Sequence, residues 1–206
     1  MNHLVPTRLH DEYVVLEPLS LDHAPALEAA AADGELWNLW FTSAPAPGQA
    51  RGYVEKALQG QADGLMLPFA VRETSSGEIV GTTRYYDYVP DLPRLAIGYT
   101  WYAKRWQKSH LNTACKRLLL QHAFEVLSCV AVEFHTDHRN LDSQRAIERL
   151  GARREGVLRA HKRRPDGSPR DTVCYSILAD EWPDVQRWLG LRLQRLGNAQ
   201  VLTAAD

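Results

Sequence analysis

The segment Leu95-Ala-Ile-Gly-Tyr-Thr-Trp-Tyr102, with the basic polar turn Lys104 to Asn112 behind it, decides how this chain folds. The segment is rich in the aromatic and β-branched residues that suit a strand. After the turn, Thr113 to Leu127 reads as an amphipathic helix. Cys115, Leu119 and Ala123 with Leu120, Phe124 and Leu127 form its apolar face, and Arg117, Gln121 and Glu125 lie opposite. Val130 to Asp137 is a second strand, with Val130, Val132 and Phe134 alternating with Glu133, His135 and Asp137. Asn140-Leu-Asp-Ser143 then opens a short helix that stops at Leu150-Gly151. The turn brings consecutive backbone N–H groups to a helix start, where the dipole favours an anion, so it is a candidate phosphate cradle. The second strand ends at another polar helix start. Two such sites side by side suit a long ligand with a phosphate end and a reactive end.

Reading outward, Tyr13-Val-Val-Leu-Glu-Pro18 is a first strand ended by proline. Ser20-Leu-Asp22 can cap a helix over Leu21 to Ala32. Leu36 to Phe41 is an aromatic loop, and Gln49 to Gln59 a helix ending at Gly60. Leu67 to Arg72 and Ile79 to Tyr86 are strands joined by the hairpin turn Ser75-Ser76-Gly77. Beyond Gly151, Arg153 to Lys162 and Arg170 to Leu178 are strands joined by the turn Pro165-Asp-Gly-Ser-Pro169. A last helix runs from about Glu181 to Leu196-Gly197, leaving a tail expected to be disordered. The spacing predicts one α+β domain over residues 1–196 with a mixed sheet of about seven strands, and a tail over 197–206.

Composition narrows the class. The 206 residues are 45% hydrophobic and 24% charged, enough for a single core. No run approaches the ~20 apolar residues of a membrane span, and the N-terminal residues lack the pattern of a signal peptide. Cys115, Cys129 and Cys174 are far apart and set in apolar surroundings, which suits reduced core thiols and a cytoplasmic protein. The eight histidines show no paired ligand spacing, so no metal is expected. The net charge of −1 divides into −7 over residues 1–95 and +6 over residues 96–206. A basic half suits a polyanionic ligand and an acidic half a cationic one, though solvated charge distributed by chance gives the same balance.

In residue order and identity, the stretch from about Arg84 to Val185 resembles the GNAT superfamily of coenzyme A-dependent N-acyltransferases. It is most similar to the branch containing the ribosomal-protein N-terminal alanine acetyltransferases. The last hairpin, with Glu155-Gly-Val-Leu-Arg159, His161, Asp166-Gly167, Arg170-Asp-Thr172 and Tyr175-Ser176, resembles a narrower subgroup. The resemblance implies that the fourth and fifth strands splay, with a pantetheine arm beside Thr100, Trp101 and Tyr102. It places the pyrophosphate on Gln107, Lys108, Ser109, His110, Leu111, Asn112 and Thr113. His110 stands where the family uses glycine, and Asn112 where it uses glycine or alanine. Either the His110 ring points away from the ligand, or pyrophosphate binding is weakened.

The same resemblance gives Asn140 and Ser143 to the pantetheine and sulfur end. Ile147 occupies the position at which relatives carry a proton-donating tyrosine, which leaves Ser143 as candidate acid. Ala96 replaces a common glutamate, and His135 is a candidate base. The ordinary readings stand beside these: a helix cap for Asn140, sheet aromatics for Tyr99, Trp101 and Tyr102, a strand histidine facing a helix or solvent for His135. Trp37 and Trp40 are either acceptor-pocket residues or core packing. The implied activity is transfer of an acyl group, acetyl first, from acetyl-coenzyme A to a primary amine, either a protein N-terminus or a small molecule. A homodimer is left open. A non-catalytic coenzyme A-binding domain is the alternative. Nucleic-acid binding through the arginines of the last hairpin is disfavoured by the acidic first half.

Overall fold

The structure, a computed structural model, describes residues 4–164 and 166–203. An eight-stranded mixed sheet has helices on both faces. The strands are β1 (Leu9–His10), β2 (Val14–Pro18), β3 (Met66–Glu73), β4 (Ile79–Val89), β5 (Arg94–Tyr102), β6 (Ala131–Asp137), β7 (Arg153–Arg163) and β8 (Pro169–Leu178). The helices are α1 (Ala24–Ala32), α2 (Ala50–Ala62), α3 (Leu111–Gln121), α4 (Leu141–Glu148) and α5 (Trp182–Thr203). The strand order is β1-β2-β3-β4-β5-β6-β8-β7. The eighth strand is β1, two residues paired with Leu16 and Val15, too short and polar to show an alternating pattern.

Alternation along the central strands divides the core between the two faces. On one, Leu67, Phe69, Tyr85, Leu95 and Ile97 pack with Leu111 and Leu119 of α3 and Leu189 of α5. On the other, Ala70 and Trp101 pack with Leu27 of α1 and Val54 and Ala57 of α2. Gly81 of β4 is required by the approach of β5: a Cβ there would lie 2.1 Å from the Trp101 carbonyl oxygen.

The helix expected over Thr113 to Leu127 starts two residues earlier. It ends in a single π turn over His122–Val126. The Tyr85 hydroxyl donates to the Leu119 carbonyl (2.6 Å), giving a partner to a carbonyl near that irregular end. Helix α5 continues to Thr203, beyond the stop expected near Gly197; residues 204–206 lie outside the described residues. The β7–β8 hairpin forms as expected, closed by Gly167 N–H donating to the Arg164 carbonyl (2.9 Å), while Pro165 itself lies outside the described residues.

Candidate active site

β5 and β6 are the parallel neighbours in the middle of the sheet. They pair only at Arg94–Ala131, Leu95–Val132 and Ala96–Glu133, and beyond that point they part. On its other edge β5 carries a bulge. Thr82 pairs with Trp101 and Arg84 with Gly98, so Tyr99 and Thr100 together oppose Thr83. Tyr99 takes the left-handed conformation (φ 51°), costly for a residue with a Cβ and characteristic of functional sites. A bulge turns the strand and frees backbone groups from the ladder. Sequence and topology together thus build a cleft whose wall is the unpaired edge of β5.

Side chains along that wall are already engaged, so backbone is what the cleft presents. The Thr100 hydroxyl meets that of Thr83 (2.8 Å) and accepts from Lys116 Nζ (2.7 Å). Trp101 is buried, its indole N–H donating to the Tyr53 hydroxyl (3.2 Å). Tyr102 is buried on the opposite face, and its hydroxyl donates to Asn112 Oδ1 (3.4 Å).

The basic loop is knit to the end of β5. Gln107 Nε2 donates to the Tyr102 carbonyl (3.0 Å), and Ser109 Oγ donates to the Trp106 carbonyl (2.7 Å) while accepting from Leu111 N–H (3.2 Å). Lys108 is exposed, at φ 61°. Leu111 and Thr113 are buried. His110 occupies the N-cap position of α3 and gives the first turn no side-chain acceptor. Its ring is buried against Tyr13 (centroids 5.3 Å) and Trp106 (6.3 Å). The imidazole therefore points into the protein.

At the far end of β6, Asn140 is the N-cap of α4, its Oδ1 accepting from Ser143 N–H (3.0 Å). Ser143 is partly exposed in the first turn. Ile147 is buried in the core, so the family's tyrosine position holds no polar group.

His135 does not face solvent. Its side chain is 13% exposed and lies on the face that carries Tyr86, Tyr99 and Arg84. Nδ1 lies 3.3 Å from the Tyr86 hydroxyl, and Nε2 lies 3.1 Å from Glu133 Oε2. Burial pushes the imidazole below its usual value of 6.5, against the opposing pull of Glu133. Glu133 is paired in register with Ala96. A carboxylate thus stands on the strand beside Ala96, a relationship that needs the β5–β6 register to be seen.

The family model for an Acetyltransferase (GNAT) domain matches residues 14–153. This chain belongs to the GNAT acetyltransferase family. An uncharacterized N-acetyltransferase, p20, of Bacillus licheniformis is 25% identical over 179 residues, spanning 84% of this chain and 97% of that protein. A protein of T. thermophilus provisionally assigned as an acetyltransferase is 39% identical, with a TM-score of 0.78 over 92% of this chain and 98% of its own. RimJ of Mycobacterium smegmatis, solved with CoA-disulfide, shares the fold at 22% identity and a TM-score of 0.73, over 91% of this chain and 93% of its own.

In this GNAT domain the aromatic loop before α2 reaches the last hairpin. Trp37 packs partly against the second core, whereas Trp40 is 46% exposed and has the Arg164 guanidinium 5.7 Å from its ring. Arg164 is itself held by Asp137 (Nε to Oδ2, 2.7 Å) at the end of β6. The Arg164 hydrogen bond offsets burial and holds the Asp137 carboxyl below its usual range. Arg164 and Arg170 both serve Asp137, and Arg153 pairs with Glu181 (2.9 Å), so part of the hairpin's positive charge has internal partners. Sequence reasoning missed Arg84, Tyr53, Tyr86 and Lys116. The signal for Arg84 was an arginine inside the apolar run Ile79 to Tyr86.

Proposed function

We propose that the protein transfers an acetyl group from acetyl-coenzyme A to a primary amine. The observation carrying this reading is the three-residue pairing of β5 and β6, with the Tyr99 bulge beside the point where they part. A pantetheine arm can pair with the free edge of β5 as a further strand. The first turn of α3, to which His110 gives no side-chain acceptor, suits the pyrophosphate, with Lys108 nearby. Gln107 to Thr113 form that end of the site, the backbone of Thr100 to Tyr102 its wall, and Asn140 with Ser143 its inner end.

Acetyl-coenzyme A supplies a thioester, activated for attack. The chain's own contributions are positional and electrostatic. A backbone N–H freed at the β5 bulge donates to the carbonyl oxygen as negative charge develops there. His135 accepts the proton lost by the amine as the N–C bond forms, with Glu133 and Tyr86 fixing its ring. As the C–S bond breaks, the Ser143 hydroxyl donates a hydrogen bond to the departing sulfur, which leaves as thiolate and takes its proton from water. GNAT membership, the coenzyme A ligand of RimJ, and His135 on one face with Tyr86 and Tyr99 support this reading. Its test is release of free thiol from acetyl-coenzyme A with a panel of amino acids, amino acid amides, polyamines and short peptides. Thiol release with no member of the panel, by protein that binds coenzyme A, would favour a non-catalytic role.

A further inference from the structure

Arg84 lies in the middle of the sheet and is 4% exposed. A guanidinium keeps its charge at any physiological pH and carries five N–H donors in one plane. Arg164, whose side chain is 7% exposed, spends its donors on Asp137 and on Ser168 and Pro169. Arg84 has nothing comparable. Among the described residues no carboxylate pairs with it, its Nε is buried without an acceptor, and Nη1 meets only the Met66 thioether (3.3 Å). The rings of Tyr53 and Tyr99 cover it at 4.9 and 4.7 Å. Aromatic faces attract the cation, but they offer its in-plane N–H groups no oxygen. A buried charge without an oxygen partner is costly, and proteins seldom retain one unless a ligand completes it.

Its position says which ligand. Arg84 is paired with Gly98, the residue before the bulge, and alternation puts it on the face opposite α3. Tyr99 of that bulge packs edge-on against Tyr86, whose hydroxyl reaches His135. Two carboxylates of β6 on this face are already held, Glu133 by Arg94 (2.7 Å) and His135, and Asp137 by Arg164. Neighbouring strands are about 4.8 Å apart, so an anion on Arg84 sits within one small molecule's length of the reacting amine.

We propose that Arg84 is the carboxylate clamp of the acceptor site, and that the acceptor is a small amino-carboxylic acid whose carboxylate lies a few bonds from the nitrogen. This rests on the acetyl-transfer reading above. Tyr53 and Tyr99 hold the guanidinium plane, leaving its edge for a two-point contact with the carboxylate. Transfer forms the N–C bond at the amine, and the carboxylate stays intact in the product.

The test uses matched pairs: glycine, β-alanine and phenylalanine, each against its own amide. The amide's amine is the less basic and so the more abundant free nucleophile, which makes any preference for the acid the protein's own. The full-length wild type is expected to favour the acid of at least one pair by about 50-fold in kcat/KM, expressed mainly in KM. Arg84→Met should bring that ratio below about threefold, and Arg84→Lys, which keeps charge without the planar fork, should fall between. Should Arg84→Met not fold, Arg84→Lys alone must narrow the ratio at least about fivefold. Equal use of acid and amide by the wild type, an equal loss on both in the variants, or faster acetylation of neutral peptides than of any amino acid would overturn the proposal. A second arm needs no turnover. With coenzyme A present, calorimetry should show the N-acetyl derivatives of the three acids binding wild type but not the Arg84 variant, and their amides binding neither. Binding there with no thiol release would remove the acetyl-transfer reading and keep the clamp; no binding of any of the three would remove the clamp.

Discussion

The ammonium of Lys116 lies 2.7 Å from the hydroxyl of Thr100, and so joins the helix behind the basic loop to the bulge that opens the sheet. Lys116 also donates to Thr83 (3.2 Å), the residue that faces Tyr99 and Thr100 across the bulge. Three side chains from α3, β4 and β5 thus fix the shape of the cleft wall from behind. The arrangement is costly, because a lysine 5% exposed is held by hydroxyls alone among the described residues.

That cost has a pH signature. Burial pushes the Lys116 amine down to about 8, from an ordinary value of 10.5. Between these values the unfolded chain binds the proton and the folded chain does not, so this group's contribution to stability rises with pH across that window. The Tyr85, Cys115 and Cys129 shifts act in the opposite sense, so the comparison with Lys116→Met removes the lysine's share together with its pull on Cys115. The stability difference should move in favour of wild type from pH 7 to pH 10 by up to about 3 kcal/mol. Denaturant melts at several pH values measure it, and a difference flat in pH would contradict the shift.

Asn140 and Ser143 share one hydrogen bond but should fail differently. Asn140→Ala removes the α4 cap and should cost on the order of 1 kcal/mol of stability, with a higher Michaelis constant for the acetyl donor. Ser143→Ala keeps the cap, because the donated group is the backbone N–H. Its stability and donor affinity should hold while turnover drops roughly tenfold. Equal turnover with chemistry rate-limiting would make Ser143 a first-turn helix residue only.

His135, depressed by burial, should give kcat/KM an acid limb below pH 6.5. The acceptor amine titrates separately at higher pH. His135→Gln should lower the rate about 100-fold and abolish the lower limb while leaving the upper one. A lower limb that persists in the variant would assign it to another group.

His110→Ala tests the direction of a ring that sequence left undecided. Removing a buried ring from between Tyr13 and Trp106 should cost about 2 kcal/mol, read by chemical denaturation. Affinity for coenzyme A should change less than about threefold, since the ring is buried between aromatic side chains. A tenfold loss of affinity would put the imidazole on the phosphates instead.

What sequence conveyed well was local. The 3.6-residue period of α3, the alternation in β6 and the Asn140 cap are each written within a dozen residues; the cap lies where it was expected, α3 starts two residues early, and β6 starts one residue late with Val130 exposed. The parting of β5 from β6 came only from family resemblance, because no periodicity encodes a failure to pair. The remaining features depend on residues far apart in the chain. The His110 ring is placed by Tyr13, the Arg84 guanidinium by Tyr53 of α2, and the carboxylate beside His135 by a register that sets Glu133 against Ala96. An arginine in a strand run reads as a solvated position until the opposite face is known to be covered.

The central claim is that the gap between β5 and β6 receives coenzyme A. Calorimetry of the purified chain with coenzyme A and with acetyl-coenzyme A tests it most directly, with thermal melts run alongside. The account predicts one molecule bound per chain, a higher melting temperature, and affinity that falls as salt screens Lys104, Arg105 and Lys108. No heat and no thermal shift at millimolar ligand would contradict it.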